Sequence, residues 1–153
     1  MSYQESKSLT NILSVIIITG IYSLIVYQRY SVGSFDTTNV FKFWAIVILI
    51  FIPISIVSKI IIMILFSIGT AVVQTAQGEE TDDLDFVDER DKLIELKATK
   101  ISLIIFSLGF IAALATQAFS MNNHIFFITL IIAGVITEIA SELATIIYYR
   151  KGV

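Results

Sequence analysis

Cysteine is absent from this chain. A thiolate nucleophile, a disulfide framework, a zinc ribbon and an iron–sulfur cluster are all excluded with it. Proline occurs once and glycine seven times, so nothing breaks the chain into a turn-rich or low-complexity one. Charge is scarce too. Only 15% of the 153 residues are Asp, Glu, Lys or Arg, against about 25% in an ordinary soluble domain. No basic face is present, which excludes a nucleic-acid binder.

What fills the sequence is apolar. Hydrophobic residues make up 56% of it, and the mean hydropathy is +0.87. That composition belongs to a small integral membrane protein, not to a disordered chain or a soluble enzyme. A span needs about 20 mostly apolar residues, because a ~30 Å hydrocarbon core is crossed at ~1.5 Å per residue. Four segments qualify: about 9–27, 43–66 with a helical extension to 77, 101–119 and 125–149. The expected fold is an all-α, integral membrane four-helix bundle forming one domain over 1–153. The first segment is read as a retained helix, not a signal peptide, since only Lys7 precedes it and no A-x-A pattern follows.

Lys and Arg placement sets the expected orientation. In a four-span topology Lys7, Arg90, Lys92, Lys97, Lys100, Arg150 and Lys151 share one side, and only Arg29 and Lys42 lie on the other. Both termini and the acidic loop 78–99 are therefore expected in the cytoplasm, with the chain multi-pass in the cell membrane. The short turn at Asn122-Asn123-His124 makes the last two helices antiparallel neighbours. Pro53 removes a backbone donor in mid-helix and is expected to kink the second span.

Charges inside a hydrocarbon slab are expensive and normally find partners in the bundle interior. The fourth span carries Glu138 and Glu142, spaced i,i+4 on one face. The second carries Lys59, the one basic residue inside a span. Counted from Lys42, Lys59 lies roughly 25 Å along its helix; counted from His124, Glu138 and Glu142 lie roughly 21 and 27 Å along theirs. Matching depth predicts that Lys59 pairs with Glu138, Glu142 or both. One reading makes this trio a proton or cation site with a carboxylate left over, its pKa raised by burial. The other makes it an interhelical clamp, with Lys59 snorkelling to the interface. Small residues, notably Gly109 and Ala113 one turn apart, predict that the third and fourth helices pack closest.

Eight of the thirteen acids fall between Glu79 and Asp91. The spacing of Asp83, Asp85 and Asp88 resembles a calcium loop but lacks the glycine and the final glutamate that such a loop needs. Asp88 followed by Asp91 reads instead as a helix N-cap with an acidic third position. Asp82, Asp83, Asp85, Asp88, Glu89 and Asp91 otherwise offer a surface to a partner or a divalent cation. No glycine-rich phosphate loop, nucleophile elbow or Glu-x-x-His pair is present. Neither enzymatic activity nor a cofactor or metal is expected, and His124 stands alone at the outer boundary.

Two segments resemble a group of small four-helix prokaryotic membrane proteins: Val87-Asp-Glu-Arg-Asp-Lys-Leu-Ile-Glu-Leu-Lys-Ala-Thr99, and Glu138 followed by Tyr148-Tyr-Arg-Lys-Gly152. The chain departs from that group in carrying Glu142 where a lysine is expected and Lys59 where histidine is common. Charges exchanged between those two positions would support their pairing. The resemblance implies a fold and a location but assigns no activity. The leading expectation is an accessory or regulatory membrane module that acts through a protein partner or another copy of itself. The alternative is a small proton- or cation-coupled transporter or channel using Glu138 and Glu142, which at this size would need a homo-oligomer.

Overall fold

The computed structural model describes residues 3–33, 38–77 and 89–152, with 74–77 described by backbone only. It is all-helical: α1 Tyr3–Ser31, α2 Val40–Gln77, α3 Glu89–Ala118 and α4 Asn123–Lys151. All four are long and apolar enough to cross a membrane. Each also exceeds its apolar window. Hydropathy marks only what hydrocarbon must cover, whereas backbone hydrogen bonding runs on until a cap or breaker ends it.

That difference corrects one expectation. Residues 89–99 are not part of a loop but the first three turns of α3. Ile94 and Ala98 are buried there, exposing only 1% and 2% of their surface. Acids Glu89 and Asp91 occupy the first turn of α3, where the positive end of the helix dipole favours them. Asp82, Asp83, Asp85 and the expected N-cap Asp88 lie outside the described residues. Helix α2 does extend to Gln77, giving 38 residues, or about 57 Å at 1.5 Å per residue. Pro53 lies inside this continuous helix.

Asn122 caps α4 by accepting from the His124 amide at 3.0 Å, and Gly152 ends it with a left-handed φ of 70°. Only glycine takes that conformation without cost.

The arrangement of the helices is lopsided. Helix α4 packs against all three others, and α1 packs against both α2 and α4. Helix α3 touches α4 alone among the described residues, so the expected bundle is open on one side. The α3–α4 seam is the closest approach, as the small residues predict. Ala113 is fully buried, and a Cβ built on Gly109 would collide with the Cβ of Ala133. Ile94, Ala98, Ile101, Ile105, Gly109 and Ala113 follow one another every three or four residues. That spacing gathers them into the stripe facing α4.

Candidate functional site

Three polar layers tie α4 to its neighbours. At the Tyr30 end, Trp44 Nε1 of α2 donates to His124 Nδ1 of α4 at 3.0 Å. Phe127 stacks on the same indole with ring centroids 5.7 Å apart, and Phe43, Trp44 and Val47 form a buried apolar cluster beside it. With Nδ1 accepting, the proton of a neutral imidazole sits on Nε2. Tyr22 of α1 joins this layer to α2 by donating to the Val47 carbonyl at 2.6 Å.

That layer sets the register of α2 against α4. The two helices run parallel, and Lys59 lies fifteen residues beyond Trp44 while Glu138 lies fourteen beyond His124. At one rise per residue they reach the same level. Lys59 Nζ pairs with Glu138 Oε1. Glu142 takes a different partner. Its Oε1 accepts from Asn11 Nδ2 of α1 at 2.8 Å. The expected trio is thus shared among three helices: Glu138 pairs with Lys59 of α2, and Glu142 bonds to Asn11 of α1 while still acting on the Lys59 charge. Positions i and i+4 differ by about 40° around a helix of 3.6 residues per turn, and α1 and α2 stand side by side against α4.

Asn11 was invisible to a search for charges, since a neutral amide near the start of a span reads as interface. A stripe gives it away in retrospect. Ser8, Asn11 and Ser14 recur at intervals of three, and Ser8 and Ser14 are both buried. Ser14 Oγ donates to the Asn11 backbone carbonyl at 2.8 Å. Next to Glu138, the Thr137 hydroxyl is buried and has no hydrogen-bond partner.

The third layer lies at the Arg150 end. Tyr149 Oη donates to Asp91 Oδ1 at 2.6 Å, and Arg90 Nη2 donates to the Tyr149 carbonyl at 3.5 Å. The Lys97 ammonium lies 5.5 Å from the centre of the Tyr148 ring, within cation–π range. Arg150 Nε meets Glu5 Oε1 of α1 at 3.0 Å. The segment around Arg90-Asp91 and the Tyr-Tyr-Arg ending of α4 thus clasp each other. Asp91, offered above as partner surface, is already engaged inside the molecule.

A cavity of about 650 Å³ opens between α1, α2 and α4, from Tyr30, Trp44 and His124 at one end to Thr19, Val135 and Ile136 at the other. Its deep end stops within a turn of Glu138. Among the described residues, no three carboxylate or imidazole side chains converge as a metal site requires. No family model, curated protein or solved structure matches the chain.

Proposed function

We propose that this chain is a non-enzymatic, four-span protein of the cell membrane, an accessory module that acts by associating with a second copy or a membrane partner along α3. The observation that carries this reading is the isolation of α3. Among the described residues it leans on α4 alone, and Leu103, Leu108 and Ile111 on its outer flank each keep more than 60% of their surface exposed. The charges inside the spans support it from another direction. Lys59, Glu138 and Glu142 each hold a partner on a neighbouring helix, as an interhelical clamp would require.

Oxidative cross-linking of single cysteines in native membranes tests this. The chain has no cysteine of its own. Leu108→Cys on the open flank of α3 is expected to give a discrete cross-linked species, and Leu65→Cys, equally exposed on α2, is expected to give none. Equal behaviour of the two positions would remove α3 as the associating surface.

Orientation is part of the same proposal, since seven Lys and Arg residues against two favour cytoplasmic termini. Lys92→Cys should be shielded from an impermeant thiol reagent in intact cells, and Thr38→Cys should react. The reverse pattern would invert the topology.

A second reading, a proton- or cation-coupled transporter, is favoured by one observation. The cavity reaches within a turn of the Lys59–Glu138 pair. In proteoliposomes it requires ion flux that disappears in Glu138→Gln, whereas the accessory reading expects no flux in either protein.

A further inference from the structure

We propose that the cavity between α1, α2 and α4 holds an acyl chain of an anionic phospholipid, with the headgroup at Arg29 and Lys42. Length is the first argument. The cavity extends from Thr19 to Tyr30 along α1 and from His124 to Ile136 along α4. Eleven or twelve residues at 1.5 Å each give about 17 Å, close to half of a ~30 Å hydrocarbon core. It therefore spans one leaflet and ends at the level where an acyl chain ends. Its volume of about 650 Å³ is that of a small-molecule site, which typically measures 300–1,000 Å³.

The lining changes along that length as a lipid does. Aliphatic side chains such as Val135 and Ile136 surround the deep end, and Tyr30, Trp44 and His124 surround the mouth. Tyr and Trp sit at the headgroup level of bilayers because their rings are amphipathic. Because His124 Nδ1 accepts from Trp44, its Nε2 is left as the donor a phosphate or ester oxygen would use.

Charge complementarity selects the headgroup. Arg29 directly precedes Tyr30 and Lys42 directly precedes Phe43, both of which line the cavity. The two cations are exposed, and neither forms an ion pair among the described residues. A basic side chain beside a membrane favours anionic lipid, and a phosphatidylglycerol headgroup brings a negative charge to this pair of cations.

Trp44, the sole tryptophan, reports on occupancy. It exposes only 9% of its surface, so a quencher must enter the cavity to reach it. The full chain in detergent is titrated with phosphatidylglycerol or phosphatidylcholine carrying brominated acyl chains. Saturable quenching is expected, reaching its midpoint at about tenfold less phosphatidylglycerol than phosphatidylcholine. The paired change Arg29→Gln and Lys42→Gln, on exposed positions that do not threaten folding, should erase the preference and keep the quenching. Val135→Phe, which fills the deep end, should reduce the quenching for both lipids. Linear quenching without saturation would mean bulk collision and overturn the site. A preference that survives loss of both cations would overturn the headgroup assignment. Protection of Trp44 from both lipids in a protein that runs as a dimer would mean that a second copy covers the cavity, and would overturn the proposal.

Discussion

Lys59→Met is expected to lower the stability of the purified protein in detergent by about 2–3 kcal/mol. Removing one member of a buried ion pair strands the other, at about 3–5 kcal/mol in soluble proteins. A charge at the centre of a span costs about 2.5–3.5 kcal/mol on insertion scales, and snorkelling or water defects give some relief. Lys59 and Glu138 keep 35% and 43% of their side-chain surface uncovered by protein, so the lower end applies. Adding Glu138→Gln should recover most of the loss. Adding Glu142→Gln should recover less, because Glu142 bonds to Asn11 and acts on Lys59 only through space. A double-mutant cycle on thermal unfolding reads both. Coupling near zero for Lys59 with Glu138 would dissolve the pair, and larger coupling with Glu142 would reverse the assignment. The companion cycle, Asn11→Leu with Glu142→Gln, should show its own coupling.

The second large effect belongs to Gly109. Gly109→Leu should cost about 1–3 kcal/mol, the usual range for overpacking a filled contact, because even a Cβ there meets Ala133. Helices in lipid associate through close packing and not through exclusion from water, and among the described residues α3 has no second neighbour to hold it. Gly134 is the control. Nothing stands within 4 Å of a Cβ built on it, so Gly134→Ala should be neutral or gain up to about 1 kcal/mol from helix propensity. Thermal melts of the two variants decide the matter. Equal effects would mean that the glycines act through propensity and not through the seam.

The four long apolar helices could be read from sequence because the length a bilayer asks for is a count of residues. The Lys59 pairing could be read to within one turn for the same reason, since depth is also a count. Which carboxylate takes the lysine could not, because that depends on how α4 is rotated between α1 and α2, and rotation is set by packing. Asn11 stayed hidden because its amide carries no charge and its partner lies 131 residues away. His124 looked solitary for a like reason: Trp44 is 80 residues distant and nothing in either local pattern names the other. Loop bounds of 78–99 reach three turns too far, because polarity marks only the end of the hydrocarbon and not the end of the helix, whose start the Asp88 cap signal already announces in the sequence. Their buried stripe, Ile94 and Ala98 continuing into Ile101 and Ile105, was present in the sequence at helical spacing.

The central position of α4 also bears on the order of biogenesis. During synthesis α4 emerges after the other three helices, yet every inter-helix contact of α3 and both carboxylate pairs depend on it. On the membrane-spanning reading proposed above, until residues 123–151 insert, Lys59 lacks Glu138, the Asn11 amide lacks Glu142, and α3 lacks the one helix it packs on among the described residues. Assembly must therefore wait for the nascent chain to deliver its final span. On that reading the acids of α4, costly to insert alone, arrive where Lys59 and Asn11 already stand ready.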